Sequence, residues 1–327
     1  MSGSISVKTL SISDLTDCYL ENFEGSTLFF SKSFLGCLDV NLHIAELCVG
    51  NSVVALSVVI ADISGRNIIY QDPCVYSGLL FSRDYFATIN RARMDSQRYK
   101  LTVWYASFLA ENYESVEIQF SPEITDLRAF QWWNWGGKNV YKIGIRYTSF
   151  ISLSDTSSTS GWSVKHMDEQ RRRLYRKFQN GSCQVVTDVS VDFLLRCLKR
   201  NLEDQHVIED YPLLDNLERV VAMLVQDKKG MTFTFCEADG SPSYSAFYGW
   251  LNQRAYYLFG GGSKNGGSPE RVVATHVCAF EFFKENEIAE IIDLEGVNSP
   301  NRGATKLGFG GGVCPYYTIS LEQRDKG

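Results

Sequence analysis

Toward the C-terminal side of the chain, AEIIDLEGVN (289–298) runs into NRGATKLGFGGG (301–312). Two carboxylates, Asp293 and Glu295, thus precede a lone ammonium, Lys306, set among glycines. An ammonium beside backbone stripped of side chains can neutralise the oxyanion of a tetrahedral intermediate, or hold a phosphate, because glycine lets a ligand approach closely. The run Ile288, Ile291, Ile292 and Leu294 predicts a buried strand. Alternation would then bring Asp293 and Glu295 to the same face at its mouth. A carboxylate there, its pKa raised by partial burial, can take a proton from an attacking amine directly or through water. The competing reading is a solvated lysine in a turn beside a carboxylate that caps it.

Other residues fit the same chemistry. LFGGGSKNGGSPER (258–271) ends a predicted strand and opens a predicted helix, so Gly260, Gly261, Gly262 and Ser263 offer amides to a pyrophosphate, with Lys264 and Arg271 adding charge. The aromatic clusters WWNW (132–135) and YY (256–257) supply Trp133, Trp135 and Tyr257 for stacking on a base or sugar. QDPCVYSG (71–78) offers Asp72 and Tyr76 as hydrogen-bonding partners for a substrate. The helix HMDEQRRRLYRKF carries arginines on all sides; it reads as a solvated face from which Arg172 can still reach a diphosphate. His276, among Val272, Val273, Val277 and Phe280, reads as a satisfied core or helix-face histidine. The remaining histidines lack metal-ligand spacing, so no metal is expected.

These residues need a scaffold. The 327-residue chain has 44% hydrophobic residues, enough for two domains, and 32 basic against 38 acidic residues, a balance unlike that of a nucleic-acid binder. Nine scattered cysteines without a CxxC fit a reducing compartment. No stretch is long and apolar enough to span a membrane and no signal layout opens the chain, so a cytoplasmic protein without membrane contact is expected. In the first half the patterning predicts a helix begun by Ser13, hairpins turning at Gly50-Asn51 and Ser64-Gly65, a helix within 83–112, the strand ESVEIQF and a closing strand. The second half repeats this order. AENYESVEIQF answers KENEIAEIIDL, and RYTSFISL answers PYYTISL, at an offset of about 170 residues. The expected architecture is α/β (α+β): two tandem mixed-sheet units, 1–154 and 155–327, joined by the linker-like SDTSSTSG. Mostly antiparallel strands followed by a strand, a glycine turn, a helix and a parallel strand suit folds that hold a thioester between two splayed central strands.

With RRRLYRKFQN, YYLFGGGS, IIDLEGVN and TKLGFGGGVCPYY in this order, the second half resembles the tandem GNAT (FemABX-like) acyltransferase family. Asp293, Leu294 and Gly296 match its DLxG strand. Lys306, Phe309, Gly310 and Gly311 match its FKxxFGG element, with Thr305 where an aromatic residue is usual. The first half resembles it more loosely, through FQWWNWGGKNVYKIGIRYTSF. Within the family, the short acidic chain without a helical arm resembles the bacterial N-acyltransferases of nucleotide-linked amino sugars. That resemblance implies transfer of an acyl group, hydroxybutyryl or acetyl, from coenzyme A to the amine of a sugar of the dTDP-3-amino-3,6-dideoxyhexose type, by direct attack, for lipopolysaccharide O-antigen or other surface polysaccharide. Two alternatives stand beside it: an aminoacyl-tRNA-dependent Fem-type ligase on a peptidoglycan precursor, and a non-catalytic nucleotide-sugar binding protein.

Overall fold

The computed structural model describes residues 4–154, 162–188, 191–204, 211–263 and 267–322. The chain packs into two units, 1–146 with 315–327, and 147–314. The sequence placed one boundary after residue 154; the contacts divide the chain at Arg146 and again at Pro315. Two strands, Lys142–Ser152 and Gly312–Glu322, therefore begin in one unit and end in the other. Most of the linker-like segment lies outside the described residues.

In the first unit, Asn41–Val49 and Ser52–Ala61 form a hairpin turned at Gly50-Asn51, flanked by Ile5–Thr9 on one edge and Gly78–Ser82 on the other. Asn67–Ile68 lies parallel to Ser115–Gln119, the helix Arg91–Asn112 making the crossover. Thr318–Glu322 then closes this sheet antiparallel to Ser115–Gln119. Its core gathers Leu47, Val59, Leu101, Tyr105, Ile118 and Ile319. Where the sequence predicts one helix from Ser13, the chain makes a single 3-10 turn at Ile12–Asp14 and restarts as the helix Asp17–Glu21. Thr16 caps that helix by accepting from the Tyr19 amide.

The second unit repeats the plan. Gln184–Asp188, Gly230–Cys236, Pro242–Leu251 and Arg254–Gly262 form an antiparallel run. The helix Arg271–Glu285 crosses to Ile291–Asp293, which is parallel to Arg254–Tyr256 and antiparallel to Phe150–Ser152. The apolar face of that helix, with Val273, Val277, Phe280 and Phe283, packs on Phe233, Ala246, Tyr248 and Ile292.

One element departs from the sequence expectation. The stretch holding Lys306 is a helix, Pro300–Leu307, with Ser299 at its cap and proline in its first turn. It docks through Gly303, where an added Cβ would collide with the carbonyl of Val297. Gly303→Ala should therefore cost about 1–3 kcal/mol, read as a lower urea midpoint with an unchanged m-value. An unchanged midpoint would mean that the helix is not held at this contact.

Candidate active site

The second unit holds a divergence. Arg254, Ala255 and Tyr256 pair with Ile291, Ile292 and Asp293, and the pairing stops there. From Tyr257 to Gly262 one strand stays with Tyr244–Tyr248. The other chain turns away to follow residues 147–149: the Leu294 amide donates to the Ser149 carbonyl, and the Val297 amide to that of Tyr147. Asn298 fixes the far end with two bonds to the Tyr147 backbone. Two parallel strands that part in this way leave backbone groups facing each other without a ladder, a place where a substrate's own amides and carbonyl can enter.

Asp293 marks the point of departure. It is fully buried, and one carboxylate oxygen accepts from the Thr148 hydroxyl at 2.5 Å and from the Glu295 amide at 2.8 Å. Burial raises its pKa, against the lowering effect of Thr148, Arg254, the Glu295 amide and Lys306. The Glu295 backbone is left-handed, φ +54, so the alternation expected to bring both carboxylates to one face ends at Asp293. Asp293 is committed to the turn, and Glu295, half-buried, is the carboxylate beside the opening.

Lys306 spans the divergence. Its ammonium donates to the Gly296 carbonyl at 3.2 Å on one side and lies 5.1 Å from the centre of the Tyr257 ring, the first residue past the split, on the other. Burial lowers its pKa below the usual lysine range; Glu295 and Asp293 oppose that, and Arg302 adds to it. Gly308, Gly310 and Gly311 after it do not open space for a ligand as the sequence suggested. A Cβ at Gly308 would strike the Arg171 guanidinium, and one at Gly310, where φ is +85, the His166 backbone. The protein's own groups take that room.

Behind Tyr257 lies a polar cluster that the sequence did not reveal. His276 is 3% exposed; its Nδ1 is 2.5 Å from the Tyr248 hydroxyl and its Nε2 3.4 Å from that of Tyr244, which is 3.2 Å from the Tyr257 hydroxyl. Gly260 backs this pair of hydroxyls, a Cβ there falling 2.5 Å from one and 2.6 Å from the other. Phe309 covers the histidine with its ring centre 5.1 Å away, and the Arg171 guanidinium lies 5.4 Å over Phe309. His276 is a core residue, one of the two places the sequence offered for it, and it is hydrogen-bonded. The period-two spacing of Tyr244, Ala246 and Tyr248 was the available sign that both tyrosines share a face.

The other sequence candidates are dispersed. Gly260, Gly261 and Gly262 belong to the strand, the Gly262 carbonyl accepting from Arg200 and that of Ser263 from Arg271, while Lys264 lies outside the described residues. The Ser268 amide and hydroxyl ahead of the helix are taken by the Glu237 carboxylate, and Glu270 at the cap position accepts from Lys177. A carboxylate thus sits where the sequence expected a pyrophosphate. Arg172 is exposed; its neighbour Arg171 is the arginine directed inward, toward Asp168 and the Ala304 carbonyl. In the first unit Tyr76 is core, packed edge-on to Phe29 and Tyr316, which corrects its expected role as a partner for a substrate. Asp72 is exposed and accepts from the Tyr70 hydroxyl. Trp133 packs on Tyr141, while Trp135 is exposed. Among the described residues, no group of three or more His, Cys, Asp or Glu side chains could hold a metal ion. No helix among them is long and apolar enough to cross a membrane.

Burial, with the nearby charges of Lys306 and Arg171, pushes the His276 pKa down to about 3. In the unfolded chain it returns to about 6.5. Between these values the unfolded state binds the extra proton. This site's contribution to stability is therefore complete above about pH 6.5 and falls by about 1.4 kcal/mol per pH unit as pH drops toward 3. Urea unfolding of the wild type and His276→Gln across this range should show a difference in stability that shrinks with acidification; a constant difference refutes the assignment.

No protein-family model matches the chain, and no curated protein sequence does. Solved structures do. A structure of FemX superposes with a TM-score of 0.61 at 10% identity, covering 95% of this chain and 96% of that one. A tandem GNAT protein from the clavulanic acid biosynthesis pathway gives 0.56 at 8% identity, covering 99% and 100%. A GNAT-family acetyltransferase from Colwellia psychrerythraea gives 0.52 at 8% identity, covering 97% and 99%. The chain has the α/β fold of tandem GNAT and Fem proteins, two mixed-sheet units in succession.

Proposed function

We propose that the second unit catalyses acyl transfer to an amine, with the acyl carbonyl entering the divergence past Tyr256 and Asp293. The observation that carries this reading is the Lys306 ammonium, held between Tyr257 and the Gly296 carbonyl at the opening. A charge fixed there beforehand stabilises the oxyanion formed when the amine attacks, and Glu295 is the group placed to accept the amine proton. Asp293 acts through position: by holding the Glu295 amide it sets where that carboxylate and the Gly296 carbonyl lie. Attack is direct, without a cysteine nucleophile: the C–N bond forms, the tetrahedral intermediate collapses with cleavage of the bond to the donor's leaving group, and that group departs with the proton Glu295 received.

The donor in this reading is a coenzyme A thioester and the acceptor a nucleotide-linked amino deoxysugar, such as a dTDP-3-amino-3,6-dideoxyhexose. The divergence suits the thioester end. The Ser268 amide does not suit the diphosphate end while Glu237 holds it, so the phosphates must find Arg271 or Arg200 instead, or displace that carboxylate. The same observation favours a second reading, a Fem-type ligase using an aminoacyl-tRNA ester and a peptidoglycan precursor, because that donor does not require this loop.

Thiol release from acetyl- and hydroxybutyryl-coenzyme A, offered dTDP- and UDP-linked amino sugars, distinguishes the readings. Release that survives ribonuclease supports the first. Transfer that requires charged tRNA supports the second. Melting shifts with nucleotide sugars but no transfer from either donor point to the non-catalytic alternative. Lys306→Ala should lower kcat by about 10²- to 10³-fold with the melting temperature kept. Because its depressed pKa removes the ammonium earlier than in an ordinary lysine, the rate should fall on the alkaline side below pH 10.5. Lys306→Arg should move that limb upward; near-normal turnover of the alanine variant excludes the role.

A further inference from the structure

The two units use the same device after their parallel strands, a short helix and then an aromatic residue followed by two glycines, but they turn it to opposite ends. In the second unit the helix Pro300–Leu307 leads to Phe309, Gly310 and Gly311; Gly310 is left-handed, and Phe309, 1% exposed, closes the core over His276. In the first unit the helix Arg128–Trp132 leads to Trp135, Gly136 and Gly137, with Gly136 again left-handed at φ +79. Here the aromatic residue stands outside. Trp135 is 68% exposed and Trp132 55%, their ring centres 4.7 Å apart, while Trp133 alone turns inward.

Trp135 forms part of the wall of a cavity of about 800 Å³ within the first unit, a size that accommodates a small ligand. The loop carrying it is closed by local hydrogen bonds: the Asn134 side chain donates to the Asn139 carbonyl at 2.7 Å, and the Gly137 amide to that of Asn134 at 2.8 Å. The polar part of the wall is an exposed ion pair. Arg128 donates through Nε and one terminal nitrogen to Asp126, at 2.9 and 2.7 Å, and its guanidinium lies 5.0 Å over the Tyr99 ring. Gln131 adds an amide, and Val140 and Ile143 add apolar surface.

This composition selects among ligands. The lining has one acid and one base, each neutralising the other, so the cavity has no surplus positive charge for a phosphate. It offers instead an exposed indole face, a carboxylate that accepts, and guanidinium and amide groups that donate. A sugar ring presents the complement, C–H bonds on its face and hydroxyls around its rim. We propose that this cavity is a saccharide-binding site of the first unit, taking an uncharged or weakly charged pyranose ring stacked on Trp135, with its hydroxyls on Asp126, Arg128 and Gln131. It is a site separate from the transfer chemistry proposed for the second unit and does not depend on it.

Calorimetry and tryptophan fluorescence on the full chain test this, using the methyl glycosides of glucosamine, N-acetylglucosamine, galactose and fucose, with thymidine diphosphate as a separate arm. At least one glycoside should bind. Trp135→Ala should weaken that binding by about tenfold or more, equivalent to about 1.4 kcal/mol. Arg128→Lys, which keeps the charge but loses the planar fork, should weaken it too. Trp135 is exposed, so its replacement leaves the fold intact, which circular dichroism verifies. The proposal is overturned if none of the four glycosides binds at millimolar concentration or if Trp135→Ala retains full affinity. It is equally overturned if thymidine diphosphate alone binds in a Trp135-dependent way, or if the patch instead drives self-association that Trp135→Ala abolishes.

Discussion

The candidate site depends on one buried carboxylate. Asp293 has left water entirely, a cost that two strong donors, the Thr148 hydroxyl and the Glu295 amide, offset. The bond to its own chain two residues on bends the backbone out of the sheet and stabilises the left-handed Glu295. Everything near the opening follows from that bend: the strand pairing ends, the Gly296 carbonyl turns toward the incoming helix, and Lys306 acquires a partner on that side. The bond to Thr148 anchors the same point to the closing strand, so the geometry is fixed from both directions.

Much of the scaffold was legible because hydrophobic period and turn chemistry are local. The hairpin at Gly50-Asn51, the helix Glu169–Gln179 and the crossover helix Arg271–Glu285 all follow from spacing within a few turns of chain. The helix carrying Lys306 was missed because four glycines between 303 and 311 outweighed the start signal Ser299-Pro300. Those glycines serve packing rather than looseness, and for three of them, Gly308, Gly310 and Gly311, that purpose is set by residues far away in sequence, Arg171, His166 and Ser149. Long-range pairing was likewise invisible at His276, whose two hydroxyl partners come from a strand 28 and 32 residues earlier. Of three successive arginines, only packing against Phe309 distinguishes Arg171 from its neighbours. Tyr76 illustrates the reverse error: an aromatic residue in a polar loop sequence whose ring is claimed by Phe29 and Tyr316.

The two units share a plan but differ where their parallel strands part. The parallel pairing in the second unit involves three residue pairs and then opens; in the first unit it involves two, after which the chain folds back and buries Tyr76. The Ser77 amide donates to the Gln119 carbonyl at 2.7 Å, at the place where the second unit leaves its strands apart. The first unit has spent its divergence on its own core and keeps its exposed aromatics elsewhere.

The exchange of closing strands has a consequence for biosynthesis. The sheet of the first unit is completed by residues 318–322, which pair with 115–119 across most of the remaining chain. A growing chain can therefore assemble the hairpins and long helix of the first unit early, yet leaves the edge at Ser115–Gln119 unpaired until the last strand emerges. The second unit receives its closing strand, 150–152, before any of its own core has been made. Translation thus finishes the later unit in sequence order and the earlier one last. The long interval with an open edge makes the first unit, rather than the second, the part that needs protection from aggregation while the protein is being made.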